Sequence, residues 1–384
     1  MNAASSAKVP SKRKLLIVFG TRPEALKCFP VARAALAQPG FVTEICVTGQ
    51  HREMVDQVIE LTGLPVHHDL NIMQPGQTLF DVTSRVLLGM ANVLDKAKPD
   101  IVLVQGDTTT AMTAALAAFY KRIPVAHIEA GLRSHDINSP FPEELNRKIA
   151  GSIATWHFAP TAEARDNLLA EGKAADTIFV TGNTVIDTLL HFSDEIDANI
   201  EMNAKFAARF PFLDPTKKMI LVTGHRRENF DGGIQRICSA LKTLAMREDV
   251  QIVYPVHPNP NIRQVVDEAL AGVQNIHLID PQDYLPFLYL QKRSYLVLTD
   301  SGGVQEEAPS LGKPVLVMRE NTERPEGVAA GTARLVGTDI EKILFNANSL
   351  LDDGRVYRSM AERHNPYGDG RAATRIIEEL QHHG

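Results

Sequence analysis

Side chains that can carry a charge or a proton follow nearly every predicted strand of this sequence. In open α/β sheets, ligands bind beyond the carboxyl ends of the strands, so residues at these positions are candidates for chemistry. A single one, such as His257 or Asp300, is equally explained as a hydrogen-bonded loop former. Their recurrence favours a site with carboxylates for proton transfer and cations for a negatively charged ligand. The positions are Gly20-Thr21-Arg22, Gln105-Gly106-Asp107, Glu129, Thr223-Gly224-His225, His257 and Asp300-Ser301.

The stretch at 295–318 reads as a strand, a tight turn, a helix at 304–311 and a second strand. Its turn, Ser301-Gly302-Gly303, has two glycines that let a ligand approach the backbone closely. The free N–H groups and the dipole of a helix start favour phosphate at such a turn. Glu307, about one turn further along, is placed to accept hydrogen bonds from a ribose diol. A plain tight connection between strand and helix is the alternative.

Short β-branched runs alternate with segments of helical period along the chain, which is typical of βαβ units and parallel sheets. A more polar junction at 198–218 separates two series of predicted strands. We therefore predict an α/β protein with two doubly wound Rossmann-like domains that face one another across a cleft. The strands are predicted at 15–19, 44–48, 101–105, 125–128, 157–159 and 178–181, then at 219–223, 251–256, 276–279, 295–299, 314–318 and 334–336.

The same pattern predicts the domain boundaries. Residues 1–13 read as a disordered tail, 14–197 as the N-terminal domain with the acidic strand ends, and 198–365 as the C-terminal domain with the phosphate-binding turn. The segment 365–370, rich in glycine and proline, breaks the chain before a last helix at 372–381. We predict that 366–384 packs back on the N-terminal domain.

Composition excludes several classes of partner. The formal net charge is −6, whereas proteins that bind nucleic acid or membrane surfaces typically carry positive charge. No apolar run approaches the ~20 residues that span a bilayer, and the polar first 14 residues do not read as a signal peptide. Cys28, Cys46 and Cys238 are isolated, so neither a disulfide framework nor a thiolate metal site is predicted. A small ligand and a reducing, cytoplasmic compartment fit these observations.

Familiar cofactor and nucleophile motifs are absent. The one G-x-G-x-x-[GA] match, at Gly368, Gly370 and Ala373, lies too near the C-terminus to open a βαβ unit, so no nicotinamide or flavin is predicted. The sequence has no P-loop, no H-E-x-x-H and no G-x-S-x-G elbow. Neither a redox cofactor nor a metal is predicted.

Ten segments distributed over the chain share one family pattern. They are FGTRPEALK at 19–27, VTGQHRE at 47–53, QGDTTT at 105–110, HIEAGLR at 127–133, PFPEELNR at 140–147, TGNTVID at 181–187, VTGHRREN at 222–229, YPVHPNP at 254–260, LTDSGGVQEE at 298–307 and RENTERPEG at 319–327. As a set they closely resemble the non-hydrolysing UDP-N-acetylglucosamine 2-epimerases of bacteria. The likeness spans about residues 14–380.

This resemblance implies a fold of the glycosyltransferase B class and interconversion of UDP-N-acetylglucosamine with UDP-N-acetylmannosamine, without metal or redox cofactor. It implies a cytoplasmic homodimer that feeds surface polysaccharide synthesis. The implied catalytic residues are Asp107, Glu129, Glu143 and His225. Those implied to bind the nucleotide sugar are Arg22, Lys27, Gln282, Phe287, Ser301, Gly302, Gly303, Glu307 and Arg324. A second substrate molecule regulates some relatives, at positions that match Gln50, Glu53, Arg226 and His257; regulated relatives carry a glutamine where this chain has Glu53.

Simpler roles exist for several of these residues. Asp107 is also explained as the N-cap of the helix that follows it, and Glu143 as an i,i+4 partner of Arg147 after Pro142 at the first helical position. Without the resemblance, the sequence predicts that Lys27 is an exposed residue of a helix. At the level of function, the rivals are a retaining glycosyltransferase, a hydrolysing epimerase and a catalytically silent sugar-nucleotide sensor.

Overall fold

The computed structural model describes residues 12–224, 226 and 232–383. They form two compact units, one made of the residues up to Thr188 together with Gly370 onward, and the other running from Leu189 to Asp369. Each unit has its own parallel sheet, so the predicted two-domain α/β class is confirmed. Of the predicted tail, only positions 12 and 13 lie within the described residues, and Arg13 already belongs to the first strand.

The first unit is built on a parallel sheet in the order β3-β2-β1-β4-β5-β6-β7. Residues 15–19 of its central strand are all 0% exposed, as expected for a parallel sheet covered on both faces. The strands are β1 Arg13–Phe19, β2 Phe41–Val47, β3 His68–Asp69, β4 Ile101–Gln105, β5 Val125–Ile128, β6 Trp156–Ala159 and β7 Ile178–Val180.

Helices connect these strands, and several begin at a threonine that caps them. The hydroxyls of Thr78, Thr108 and Thr161 accept hydrogen bonds from backbone N–H groups three residues ahead, which satisfies donors that a helix start leaves open. The helices are α1 Arg22–Ala37, α2 Arg52–Thr62, α3 Leu79–Ala97, α4 Thr109–Tyr120, α5 Glu143–Ile153, α6 Ala162–Ala170 and α7 Thr184–Ala198.

The second unit repeats the architecture with a parallel sheet in the order β10-β9-β8-β11-β12-β13. Its strands are β8 Lys218–Thr223, β9 Val250–Pro255, β10 Ile276–Ile279, β11 Leu296–Thr299, β12 Val315–Val317 and β13 Ala333–Leu335. Its helices are α8 Ile200–Arg209, α9 Gly233–Leu244, α10 Pro260–Leu270, α11 Tyr284–Arg293, α12 Gly302–Glu307, α13 Pro325–Ala330, α14 Ile340–Asp352 and α15 Gly354–Ala361.

Both strand orders reverse direction once, and these reversals locate the candidate sites. In the first sheet the reversal lies between β1 and β4, which pair in parallel, and in the second it lies between β8 and β11. Chain connections leave such neighbours toward opposite faces of the sheet, which opens a crevice at the carboxyl ends of the strands. The turns at 20–22 and 106–108 therefore flank one crevice, and those after β8 and β11 flank the other.

Besides shifts of one to three residues at the ends of several strands and of the last helix, the structure differs from the predicted elements at three places. The helix predicted at 304–311 is α-helical only to Glu307 and continues as a 3₁₀ turn, Ala308–Leu311, because Pro309 cannot donate its backbone hydrogen bond. The polar junction at 198–218 contains α8. β3 was not predicted because two residues are too short to show a period.

The last helix, α16 Ala372–His383, belongs to the first unit and contacts α1. Asp187 anchors its start, because its carboxylate accepts hydrogen bonds from the N–H groups of Ala372 (3.2 Å) and Ala373 (2.9 Å). The unit boundary after Thr188 falls inside α7, earlier in the chain than the predicted 197/198 junction. Among the described residues, no helix has both the length and the apolar character that crossing a bilayer requires.

Candidate functional site

Glu129 follows β5 directly and brings a buried carboxylate to the carboxyl edge of the first sheet. Its backbone lies in the left-handed region, with φ 60°, which turns the chain sharply after the strand. Its Oε1 accepts hydrogen bonds from Lys27 Nζ (2.5 Å) and Asn183 Nδ2 (3.2 Å), and its Oε2 accepts one from Gln105 Nε2. Three donors thus surround a charge that would be costly to bury alone.

Lys27 reaches this carboxylate from α1. Its side chain is only 15% exposed and forms the ion pair with Glu129. The alternative of an exposed helix residue is therefore wrong. The two residues are far apart in the sequence, and they meet because β1 and β5 both flank β4 in the sheet.

The Asp107 carboxylate belongs to the same cluster. Gly106 turns the chain after β4 at φ 69°, and a Cβ built there would lie 3.4 Å from Glu129 Oε2, so the turn lies against that carboxylate. Asp107 Oδ2 accepts a hydrogen bond from Arg147 Nη2 (2.5 Å), and its carbonyl accepts one from Asn146 Nδ2 (3.0 Å). Burial raises the pKa of Asp107 and the nearby Glu129 adds to this, whereas Arg147 opposes it.

The N-cap of α4 is Thr108, whose hydroxyl accepts a hydrogen bond from the Ala111 N–H (3.0 Å). The interpretation of Asp107 as that N-cap is therefore wrong. Because the cap is one residue further on, the Asp107 side chain turns toward Arg147 instead of the helix backbone.

Two adjacent glutamates of α5 have different surroundings. Glu143, the first residue of the helix, is half-buried, whereas Glu144 is fully buried and its Oε2 accepts a hydrogen bond from the Ser134 N–H (3.0 Å). Arg147 Nη1 lies 3.3 Å from Glu144 Oε2. The predicted Glu143–Arg147 pair is not formed, since i,i+3 neighbours also share a helix face and Arg147 links Glu144 to Asp107.

The start of α1 adds another buried carboxylate, Glu24, beside this cluster. Arg22 opens the helix and is half-buried, and Glu24, two residues later, is 1% exposed. Glu24 Oε2 accepts hydrogen bonds from the N–H groups of Gly20 and Thr21, and Oε1 accepts one from the Thr108 hydroxyl (2.6 Å). Burial raises the pKa of Glu24 to about 7, although these hydrogen bonds lower it.

His127, in β5, supports the turn that carries Asp107. It is 0% exposed, and its Nε2 donates a hydrogen bond to the Gly106 carbonyl (2.7 Å). His157 pairs with it in register on β6, and the Nδ1 atoms of both rings are buried without a hydrogen-bond partner in the described residues. Burial lowers the pKa of His127 to about 4 and that of His157 to about 3. Both rings are therefore neutral at physiological pH.

This burial predicts a specific loss of stability in acid. Between pH 6.5, the ordinary histidine value, and about 4, the unfolded chain binds a proton at His127 and the folded chain does not. The contribution of His127 to the free energy of unfolding should therefore fall as the pH falls through this window, by a few kcal/mol for such a shift. His127→Gln, which keeps a donor for Gly106, should flatten the profile in urea denaturation from pH 7 to 4. The exposed His382→Gln should leave it unchanged, and parallel profiles for all three proteins would contradict the prediction.

The second unit has its own cluster at the turn after β11. Asp300 is 0% exposed, and its Oδ2 accepts a hydrogen bond from the Arg226 N–H (2.8 Å), which ties the chain after β8 to the end of β11. The hydroxyls of Thr223 and Thr299 lie 2.6 Å apart across these strands, and the Ser301 N–H donates to Thr299 Oγ1 (2.9 Å). The two strand ends are thus fixed to each other.

α12 begins at Gly302, and side chains of the segment 319–327 lie beside it. A Cβ built at Gly302 would be 3.4 Å from Glu323 Oε1 and 3.8 Å from Arg324 Cζ, whereas one at Gly303 would lie 4.0 Å from the Ser301 Oγ. The glycine therefore brings bare backbone next to a guanidinium group.

Three arginines gather around two glutamates at this point. Arg226 Nη2 and Arg319 Nη1 donate to the Glu323 carboxylate at 2.8 and 3.0 Å, and Arg324 Nε donates to Glu306. Burial alone would raise the pKa of Glu323, but the arginines outweigh it and the pKa is lowered. Guanidinium groups in a fixed array bind phosphate or carboxylate oxygens, so the cluster can accept an anionic ligand.

Tyr367 holds the backbone of this arginine segment. Its fully buried hydroxyl accepts a hydrogen bond from the Gly327 N–H (3.0 Å) and lies 3.1 Å from the Arg324 carbonyl, to which it donates. Asn365 Nδ2 donates to the Glu306 carbonyl (2.8 Å). The segment predicted only as a chain break therefore positions Arg324 and Glu306.

Comparisons with known proteins agree with this picture. The family model of UDP-N-acetylglucosamine 2-epimerase matches residues 33–381. A UDP-N-acetylglucosamine 2-epimerase of Escherichia coli K12 is 56% identical over 96% of this chain and 98% of its own length. The chain belongs to the UDP-N-acetylglucosamine 2-epimerase family.

Solved structures of the UDP-N-acetylglucosamine 2-epimerase family have the same fold. The crystal structure of the Neisseria meningitidis enzyme bound to UDP-GlcNAc has a TM-score of 0.88 and 47% identity, over 96% of this chain and 100% of that chain. The Methanocaldococcus jannaschii enzyme in complex with UDP-GlcNAc and UDP has a TM-score of 0.79 and 36% identity, over 96% and 99%. The resemblance found in the sequence is confirmed.

The other residues predicted for the site are His225, Gln282, Phe287 and Glu307. His225 lies outside the described residues. Gln282 precedes α11 by two residues and Phe287 lies within that helix, and both are half-buried. Gln282 Nε2 donates to the Asp280 carbonyl (2.6 Å). Glu307, at the end of α12, accepts a hydrogen bond from Gln291 Nε2 at its Oε2 (3.4 Å).

The residues predicted for regulation have local structural contacts. Gln50 Oε1 accepts hydrogen bonds from the N–H and the hydroxyl of Thr110, which attaches the chain after β2 to the start of α4. Glu53 is exposed in the first turn of α2. His257 is exposed, and its Nδ1 accepts from the Asn259 N–H (3.1 Å), as expected of a loop former.

Sequence reasoning missed Glu24, Asn183 and the pairing of Arg147 with Asp107. Glu24 left a readable signal, because Thr21-x-x-Glu24 is the pattern of a capping box. Gln105 was selected as a strand-end position, but its contact with Glu129 was not predicted. Within the described residues, no three His, Cys, Asp or Glu side chains are arranged to hold a metal ion.

Proposed function

We propose that this protein epimerises UDP-N-acetylglucosamine reversibly at C2 of the sugar, giving UDP-N-acetylmannosamine. The observation that carries the proposal is the pair of carboxylates, Asp107 and Glu129, which follow the neighbouring strands β4 and β5 at the carboxyl edge of the first sheet, each with a cationic partner. The names and the bound UDP-GlcNAc of the relatives supply the substrate class.

The chemistry explains why carboxylates are needed. No carbonyl group acidifies the C2 hydrogen of the sugar, so its direct removal has a high barrier. When the C1–O bond breaks, its electron pair leaves with UDP and C1 becomes electron-poor, which acidifies that hydrogen. A carboxylate then takes the C2 proton, the C–H electron pair forms the C1–C2 double bond, and a glycal and UDP result. Re-addition with a proton delivered to the opposite face gives the epimer.

We assign proton transfer at C2 to Asp107 and Glu129, assisted by Glu143 and His225. The raised pKa of Asp107 brings its proton affinity closer to the working pH, which suits a group that accepts and returns protons. Lys27, Gln105 and Asn183 fix the orientation of Glu129. Arg22 and Lys27 add positive charge for the leaving diphosphate.

In this proposal the second unit binds the nucleotide. Arg324 and the turn at Ser301, Gly302 and Gly303 hold the diphosphate, because bare backbone and guanidinium groups meet there. Gln282 and Phe287 also bind the nucleotide sugar, and Glu307 accepts hydrogen bonds from the ribose diol. Gln50, Glu53, Arg226 and His257 form the regulatory site for a second substrate molecule. The protein acts as a cytoplasmic homodimer that supplies surface polysaccharide synthesis.

Replacing Arg324 by alanine is expected to weaken UDP binding about 10- to 100-fold, because a charge-assisted contact of about 1.5 to 3 kcal/mol is lost. Isothermal titration calorimetry measures it. Arg334→Ala is the matched control, since Arg334 is also half-buried in the second unit but bonds to Asn346. Equal UDP affinity in both variants and the wild type would remove Arg324 from the diphosphate site.

The experiment that tests the function uses UDP-N-acetylglucosamine alone. Proton NMR should show a second set of anomeric signals from the epimer while the total of UDP-sugar stays constant. A retaining glycosyltransferase would leave the spectrum unchanged without an acceptor, and a hydrolysing epimerase would accumulate free UDP. A catalytically silent sensor would bind UDP but leave the spectrum of UDP-N-acetylglucosamine without epimer signals.

A further inference from the structure

Glu24 is a buried carboxylate to which the proposed chemistry assigns no task. It lies in the first turn of α1, between Arg22 and Lys27, and its side chain is 1% exposed. Among the described residues, it has four hydrogen-bond donors and no cation within hydrogen-bond distance. Charge pairing therefore does not explain why this carboxylate is buried.

The two oxygens of Glu24 have different tasks. Oε2 accepts from the N–H groups of Gly20 (3.0 Å) and Thr21 (2.8 Å) and from the Thr21 hydroxyl (2.9 Å), which is the local pattern of a capping box. Oε1 accepts from the hydroxyl of Thr108 (2.6 Å), which lies after a different strand. A capping box explains the first set of contacts and not the second.

Thr108 transmits this contact to Asp107. Its oxygen also accepts from the Ala111 N–H (3.0 Å), so its hydroxyl hydrogen is directed to Glu24 while its lone pair caps α4. The neighbouring Asp107 is held from its other side by Asn146 and Arg147. The Asp107 turn is therefore fixed between α5 and the start of α1.

The turn after β1 gives Glu24 a rigid base. A Cβ built at Gly20 would lie 2.0 Å from Thr48 Oγ1 and 2.5 Å from Thr110 Oγ1, so the backbone there is packed without spare room. Since β1 and β4 are hydrogen-bonded neighbours, one side chain can span their two ends.

We propose that Glu24 is a positioning residue, which ties the turn after β1 to the turn after β4 and thereby sets Asp107 relative to Arg22 and Lys27. This inference rests on the proposed function. It gives Glu24 a role in turnover through Thr108, without contact with the substrate.

Glu24→Asp separates positioning from capping. Asp81 forms a capping box with Thr78 in α3, so an aspartate can do the same in α1. A carboxylate one methylene shorter that caps in this way no longer reaches Thr108. We expect kcat to fall at least ~10-fold with little change in KM, because small displacements of a reacting group cost up to about 100-fold. The melting temperature should stay close to that of the wild type.

Two further variants sharpen the test. Thr108→Ala removes the other end of the contact together with the cap of α4. The double variant should therefore lose less kcat than the two single losses combined, because both single variants remove the Glu24–Thr108 hydrogen bond. Asp81→Ala, which destroys the capping box of α3, should lower the melting temperature and keep kcat.

The outcomes distinguish this inference from the function on which it rests. An active wild type with unchanged kcat in Glu24→Asp would overturn the positioning role alone, as would fully additive losses in the double variant. A wild type that does not epimerise UDP-N-acetylglucosamine would overturn both.

Discussion

Glu129→Gln is expected to lower turnover of UDP-N-acetylglucosamine by about 10²- to 10⁴-fold, the range typical of a lost acid–base group. All the contacts of this carboxylate described above are donors, from Lys27, Gln105 and Asn183. A glutamine therefore places its own NH₂ group against a donor and removes the charge that Lys27 faces. UDP affinity should persist, since the proposed diphosphate site lies in the second unit.

Glu44→Gln is the matched control for this variant. Glu44 is also a partly buried carboxylate of the first unit with a lysine partner, Lys14 at 2.7 Å, but it lies in β2, and we assign it no role in the reaction. It should keep wild-type kcat. An equal loss of kcat in Glu44→Gln and Glu129→Gln would show that the loss of an ion pair, and not the loss of an acid–base group, lowers turnover.

Asp107→Asn is expected to have an effect of similar size, and the wild-type pH profile should show why. Because burial raises the pKa of Asp107 above its ordinary value of 3.8, the carboxylate becomes protonated at a higher pH than a solvent-exposed aspartate. Activity that needs the ionised base should fall as the pH falls through this raised pKa. Asparagine cannot titrate, so any residual activity should lose that acid limb.

The measurement is kcat/KM as a function of pH for the wild type and the variant. Asp352→Asn serves as the control, because Asp352 also pairs with an arginine, Arg247 at 2.7 Å, but lies in α14 and has no assigned role. An acid limb that persists in Asp107→Asn would assign that ionisation to another group.

The fold was predictable because its signals are local. The strands at 101–105, 125–128 and 276–279 were predicted to the residue, since each is a short apolar run with polar or turn residues beside it. The end of α12 was not predicted, because the helical pattern of 304–311 continues through Pro309. Only the N–H group that this proline lacks changes the α-helix to a 3₁₀ turn.

The sequence indicated residues at the strand ends of the candidate site but not the side chains that they contact. The strand-end rule selected Asp107 and Glu129, yet their partners Arg147 and Lys27 come from helices far along the chain. Glu143 and Glu144 are adjacent in one helix turn, so only the rotation of the helix decides which of them is buried. The sequence did not show that Glu144, and not Glu143, is the buried one. The sequence pattern shows the local capping-box contacts of Glu24 but not its hydrogen bond with Thr108, which follows a different strand.

The most direct test of the account is isotope exchange in deuterium oxide. Removal of the C2 proton by a carboxylate and its replacement from solvent require that the product UDP-N-acetylmannosamine carry deuterium at C2, which NMR or mass spectrometry detects. We expect every product molecule formed in deuterium oxide to carry it. Product that keeps its original hydrogen at C2 would contradict elimination and re-addition at Asp107 and Glu129.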